Sequence, residues 1–378
     1  MKIIRSFRQA ITTCAGARIL AVGGTAVSLA AAAVAASAPS ASAAEIHARP
    51  AIAVAGGNTV IATQTTHDGL RFYWNTYGTN TWHGEQVVPN GTTYSAPSMT
   101  QDGNAVIIAA EGPAHSLDFY WQQIGTVPWH AELVAGAGTT YSAPSLAVVN
   151  NGVSIVALGP AGSLRYYWAA NGTCSWLSQV VAGPGTTYSA PSVTANGGAA
   201  NVVAEGPAHS LDFYWQTDGT TLWHPELVAG AGTTYSAPEV IGNGNYANVV
   251  AQGAHRSLDF YWQQNYTTPW HLSVPTSSNA AGRPDITTYS GSPDGVHVVA
   301  TNPFDIPASY TDANGSGTWQ GHGIRNPFTY AAGSDPVVTE NNGMENVAVY
   351  GLNGELDFFW QNGSGHFVKE TVAAVGVN

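Results

Sequence analysis

The chain has 378 residues, of which 9% are charged, 44% are hydrophobic and 43 are glycine. Eleven basic against 23 acidic residues give a formal net charge of −12, which argues against a nucleic-acid duplex or an anionic membrane surface as partner. Two cysteines exclude a disulfide-built scaffold, so the fold must be held by its core.

Residues 1–44 read as a secretory signal peptide. Lys2, Arg5, Arg8 and Arg18 form a basic start, an Ala-rich apolar run covers 19–36, and Ala41-Ser42-Ala43 is a small-residue cleavage site. This predicts a secreted, extracellular protein of residues 45–378. Removing the signal leaves seven basic and 23 acidic residues, a formal net charge of −16, with Cys174 as the sole cysteine. No later stretch is long and apolar enough to span a bilayer, so no membrane insertion is expected.

The mature chain repeats. Trp74, Trp121, Trp168, Trp215 and Trp262 follow one another at a constant step of 47 residues; Tyr310 takes the sixth place and Trp360 the seventh. The heptapeptide Ser-Leu-Asp-Phe-Tyr-Trp-Gln occurs at 116–122, 210–216 and 257–263, with altered copies at 70–74, 164–168 and 356–360. Self-similarity at this period means a solenoid, a propeller or an array. Each repeat opens at a proline: Pro50, Pro97, Pro144, Pro191, Pro238, Pro284 and Pro336.

The fourth repeat shows the pattern. A short strand starts at Pro191, turns at Asn196-Gly197-Gly198, and is followed by a buried apolar strand over 201–204. Gly206-Pro207 turns the chain again. The third strand, 211–216, puts Leu211, Phe213 and Trp215 on one face and Asp212, Tyr214 and Gln216 on the other. Asp218-Gly219 marks a hairpin leading to a fourth strand over 223–228. Four short antiparallel strands per unit, many glycine turns and no helical period describe a blade. The prediction is an all-β, seven-bladed β-propeller with about 47 residues per repeat. The last repeat ends on its own fourth strand, 367–375, so blade seven should dock on blade one without exchanging a strand. Blade six departs from the rest: Ile306-Pro307-Ala308-Ser309-Tyr310 replaces the aromatic strand, and a proline there removes a ladder donor. Either the blade is eroded or it is specialised to line a site.

The strongest repeated polar feature is Trp-His-x-Glu, at Trp82, His83 and Glu85, at Trp129, His130 and Glu132, and at Trp223, His224 and Glu226. It weakens to Trp270 and His271 with Ser273, and is lost at Trp176 with Gln179. On a strand, residues two apart share a face. Two ligands are too few for a closed metal site, so neither metal nor cofactor is expected. The pattern fits either a hydrogen-bonded outer strand or a pocket with Trp as platform and His and Glu as polar partners. The Asp of the heptapeptide becomes Arg71 and Arg165, a sign change that suggests a peripheral, solvated position. Tyr94, Tyr141, Tyr188 and Tyr235 precede the prolines, and should pack between blades or stack on a ligand. There is no nucleophile elbow, phosphate-binding loop or zinc spacing, so enzymatic activity is not indicated.

Residues 111–122 are identical to 205–216, and 132–144 to 226–238. Equivalent sites between blades would require such fidelity and would gain from avidity on a multivalent surface, although recent duplication also produces it. The unit Ser189-Ala190-Pro191, then 201–204, 211–216 and Trp223-His224, resembles the repeat of the seven-bladed bacterial lectins of the Photorhabdus (PLL) type. That resemblance implies sugar pockets between neighbouring blades with Trp platforms, and glycans or cell-surface polysaccharide as partners. It departs at Asp118, Asp212 and Asp259, where those lectins tend to carry a further Trp. The expectation is therefore a multivalent carbohydrate-binding protein. Two alternatives stay open: a hydrolase or polysaccharide lyase centred on Asp305, Tyr310, His322 and Arg325 of blade six, or a protein-binding scaffold.

Overall fold

The computed structural model describes residues 48–374, except 76–79, 127, 170–174, 218–219, 245, 265–268, 293, 314, 316, 325–331 and 363. The expected signal peptide, the hairpin tip at Asp218-Gly219 and Arg325 lie outside the described residues. No described helix is long and apolar enough to cross a membrane.

The chain forms seven four-stranded antiparallel sheets, each with its strands in sequence order. Blades one to seven span 51–88, 98–135, 145–182, 192–229, 239–276, 281–323 and 337–373. First strands neighbour one another round the ring, and the first strand of blade seven touches that of blade one. All four strands of blade seven come from its own repeat, so the ring closes without strand exchange, as its sequence implies.

Alternation along the strands explains why the blades need one another. In blade four, Leu211 and Phe213 pack with Val240, Val249 and Tyr261 of blade five, while Tyr214 packs back onto Val156 and Tyr166 of blade three. The second strands are buried on both faces; Ala105–Gly112 is buried throughout. Fourth strands are half exposed at the rim. Apolar clusters therefore span the seams, and the one joining Ile61 and Tyr73 to Ala348, Tyr350 and Phe358 closes the circle. A lone sheet would leave these faces in water.

Around the axis, a side chain of one first strand accepts a backbone N–H from the next. Ser98 Oγ accepts from Leu146 at 3.0 Å, Ser145 Oγ from Val193 at 3.1 Å, and Asp285 Oδ2 from Val338 at 2.7 Å. The axial channel, about 480 Å³, contains Arg49, Glu239, Arg283 and Asp285. Arg49 pairs with Glu239 at 2.5 Å and Asp285 at 3.2 Å, and also donates to Pro284 O and Pro336 O. The residue before blade one thus ties together blades five, six and seven.

Three expectations are corrected. The heptapeptide Asp is not solvated: Asp118 and Asp212 are half-buried, Asp259 is buried, and burial raises all three carboxyls. Asp118 sits where Gly112 leaves room; a Cβ on Gly112 would fall 2.1 Å from its Oδ2. Asp357 is fully buried because Lys369 Nζ pairs with it at 2.5 Å and Thr371 Oγ1 donates to it. The tyrosines before the prolines pack only in part: Tyr94, Tyr141, Tyr188 and Tyr235 are 47%, 43%, 55% and 47% exposed, although Tyr141 stacks on His115 at 4.5 Å and Tyr235 on His209 at 4.7 Å. Their backbone N–H groups make the inter-blade bonds instead, as from Tyr94 to Glu111 O at 2.8 Å. Finally, Tyr310 does not take the sixth Trp place. Trp74 pairs with Val60 and His83, while in blade six Thr311 pairs with His297 and Gln320. Tyr310 corresponds to Tyr73, opposite a glycine, and packs with Phe260 and Trp319 toward blade five. Pro284 also lies within a first strand, Ala281–Thr288, whose register shifts between Ala281 and Asp285.

Candidate binding clefts between the blades

Each Trp-His-x-Glu set lies on a fourth strand, and cross-strand pairing brings it against the aromatic third strand of its own blade. Trp74 pairs with His83, and Trp215 with His224. The His rings stack on these Trp rings: 5.5 Å for His83 on Trp74, 4.0 Å for His130 on Trp121, and 4.1 Å for both His224 on Trp215 and His271 on Trp262.

The fourth-strand Trp crosses the seam to the preceding blade. Trp129 meets Phe72 edge-on at 5.2 Å, Trp270 meets Phe213 at 5.0 Å, Trp223 meets Tyr166 at 5.1 Å, and Trp82 meets Phe358 at 5.1 Å. Where the preceding blade carries the glutamate, the indole N–H reaches that carboxylate; Trp223, which follows the blade with Gln179, has no partner for its indole N–H among the described residues. Trp129 Nε1 donates to Glu85 at 2.7 Å, Trp176 Nε1 to Glu132 at 3.0 Å, and Trp270 Nε1 to Glu226 at 3.2 Å. Glu132 and Glu226 accept a second indole N–H from Trp121 and Trp215 of their own blades. These bonds to an ionised acceptor fix both rings. The sequence pattern contained the residues but not this division of labour: the fourth-strand Trp is a seam residue, and the third-strand Trp borders the cleft.

The clearest opening lies between blades one and two, about 630 Å³ in volume. Phe72 and Trp74 form its aromatic side, and Asn58, Glu85, Gln122 and Thr126 supply polar atoms. Gln122 Nε2 and Trp129 Nε1 both bond Glu85 Oε1, leaving Oε2 without a protein hydrogen bond among the described residues. The cleft combines a flat π-face with a few convergent polar groups, an arrangement suited to a small hydroxylated ligand.

The seam between blades six and seven differs. Relative to blades one and two, His297 replaces Val60, Ser309 replaces Phe72, Thr311 replaces Trp74, and His322 replaces Glu85. On the facing blade, Glu345 replaces Val106 and Phe367 replaces the cross-seam Trp. Of the residues of the enzymatic alternative that the structure describes, Asp305 is in the turn before the third strand, Tyr310 faces blade five, and His322 pairs with Ser309. Among the described residues no group of three His, Cys, Asp or Glu side chains can hold a metal.

The fold and its cleft define a seven-bladed β-propeller with an opening between blades one and two. No family model matches the chain, and no curated protein matches it. Solved structures do. The BP39L lectin from Burkholderia pseudomallei is 16% identical, with a TM-score of 0.76 over 86% of this chain and 99% of that chain. The Aleuria aurantia lectin, solved in complex with Fucalpha1-6GlcNAc, is 10% identical with a TM-score of 0.55, covering 88% and 97%. The SapL1 lectin, solved with alpha methyl fucoside, is 12% identical with a TM-score of 0.54, covering 75% and 96%. The Aleuria lectin is a six-bladed propeller, one blade fewer than here. At these identities the likeness is one of fold.

Proposed function

We propose that this protein is a secreted, multivalent lectin of the Photorhabdus type that takes sugars in clefts between neighbouring blades. The observation that carries this reading is the cleft between blades one and two, with Trp74 and Phe72 beside Glu85, Gln122 and Asn58. A pyranose lays its C–H face on an aromatic ring while its hydroxyls meet fixed polar atoms. In this reading Trp82, Trp129, Trp223 and Trp270 shape the seams, His83, His130, His224 and His271 back the third-strand rings, and Glu85, Glu132 and Glu226 orient indoles and sugar hydroxyls. Solved propellers of similar fold hold fucosides, which makes a fucoside the first ligand to test. Sites of roughly millimolar strength would act together on a surface bearing many glycans. The signal-like start of the chain supports export to where such surfaces are met.

The test is calorimetric titration of the purified protein with methyl α-L-fucoside, then with other monosaccharides. Saturable binding with more than one site per chain, with one site lost in Trp74→Ala, is expected. A folded protein that binds none of the sugars would overturn the reading.

A further inference from the structure

The end of the ring opposite the cleft carries the turns between second and third strands and the connections between blades. Turn and connection hydrogen-bond to each other, as from Gly138 N to Ala114 O at 2.9 Å. Each turn places one residue at positive φ just before the third strand: Asp68 in blade one, His115 in two, Gly162 in three, His209 in four and Arg256 in five. Asp305 and Gly354 take that place in blades six and seven. Arg256 is exposed and has no ion-pair partner among the described residues, and Asp68 is half-buried. The connections add the exposed Tyr94, Tyr141, Tyr188 and Tyr235, and the turns of blades six and seven expose Phe304 (76%) and Leu352 (49%). The connections 136–142, 183–189 and 230–236 contain no charged residue, on a chain of net charge −12. Between repeats two and four this end is identical, whereas the cleft-side turn differs: 123–128 reads Gln-Ile-Gly-Thr-Val-Pro and 217–222 reads Thr-Asp-Gly-Thr-Thr-Leu.

We propose that this end is an interface between two copies of the chain, stacked back to back about a twofold axis that lies across blade three. Contacts about a twofold axis come in reciprocal pairs. This axis exchanges blade two with four, one with five, and six with seven. The side chains then match. Asp68 of one copy meets Arg256 of the other, an acid against a base. His115 meets its identical repeat, His209. Gly162 lies on the axis and meets itself, where the lack of a Cβ permits close approach. Phe304 meets the turn that exposes Leu352. The connections exchange likewise, Tyr141 with Tyr188 and Tyr94 with Tyr235. Of the seven axes the blades allow, this one alone sets a described Tyr of the second copy opposite each of these four. Two acidic chains repel over most of their surface, and an aromatic, charge-poor end is where they can approach. Such a dimer turns both cleft-bearing ends outward, so that it can bridge two glycan-bearing surfaces. That consequence rests on the lectin reading; the dimer itself does not.

The experiment is sedimentation equilibrium of the purified protein, which should give twice the chain mass. Arg256→Glu and Asp68→Arg should each raise the dimer Kd about tenfold or more, the scale of a close charge pair met twice per dimer. Asp68→Arg combined with Arg256→Glu rebuilds the pair with its charges exchanged and should recover association. Tyr141→Ser with Tyr188→Ser should weaken it. A chain that stays monomeric, a dimer indifferent to Arg256→Glu, or a charge exchange that restores nothing would overturn the proposal. So would a monomer held by phosphatidylcholine vesicles through the same tyrosines, which would give this end to a lipid surface. Titration with methyl α-L-fucoside in parallel separates the two readings. A dimer that binds no sugar upholds the interface and counts against the lectin reading, and a monomer that binds fucoside does the reverse.

Discussion

The indole N–H of Trp82 donates to Glu370 at 2.9 Å, joining side chains 288 positions apart and closing the ring between blades one and seven. Trp360 of blade seven donates to the other oxygen of the same carboxylate, also at 2.9 Å. Glu370→Ala would strand two indole donors at the closing seam. The expected loss is about 2–4 kcal/mol, from hydrogen bonds to a charged acceptor. Denaturant melts of Glu370→Ala and Glu370→Gln should rank Ala below Gln and both below the parent.

Arg49→Met should be more damaging than any change on the rim. It leaves Glu239 and Asp285 buried in the channel with Arg283 as the remaining nearby cation. Burial would lower the Arg49 guanidinium, but Asp285, Glu239 and Asp335 raise it well above its ordinary value. Breaking such a pair costs about 3–5 kcal/mol. Because the groups are buried, raising salt should change the difference from the parent little. Thermal unfolding at low and high salt checks both points.

Gly112→Ala should destabilise although its φ of −99° is ordinary for any residue. The new methyl would meet the Asp118 carboxylate, a contact worth about 1–3 kcal/mol of overpacking. Gly136→Ala, with open space around its Cβ position, should have little effect in the same melts.

The burial of Glu345 and His297 makes stability depend on pH. Burial pushes the Glu345 carboxyl up to about 7, with Ser309 opposing and Glu340 reinforcing the shift. A carboxyl raised on folding contributes stability that is full below its ordinary value near 4.5 and is lost as pH rises through about 7. Burial lowers His297 to about 4, with Glu340 opposing and His322 reinforcing. That group contributes above about 6.5 and loses its contribution as pH falls toward 4. Glu345→Gln should therefore gain on the parent as pH rises from about 4.5 to about 7 and hold that gain above it, measured as the difference in melting temperature. A difference that stays constant across that range would contradict the assignment.

The fold was legible because its signals are local. Period-two alternation in 211–216, glycine turns and a 47-residue step each reflect constraints within one blade. The site was legible as residues but not as roles. Trp129 and Glu85 are 44 positions apart, and no single repeat shows that one blade's indole serves the preceding blade's glutamate. A sign was present in the sequence: where Glu85 has a counterpart in His322, the matching Trp becomes Phe367. Tyr310 drew the alignment one residue off because it is aromatic; backbone pairing assigns the place to Thr311. Asp118 looked solvated because Arg165 replaces its counterpart, yet the space beside Gly112 and Gly159 accommodates either side chain under partial burial.

A glycan array probed with the purified protein tests the central claim most directly. The account predicts binding to a defined set of glycans, competed by the free monosaccharide and diminished in Trp74→Ala. A blank array from protein shown to be folded by its far-UV spectrum and cooperative melt would contradict it.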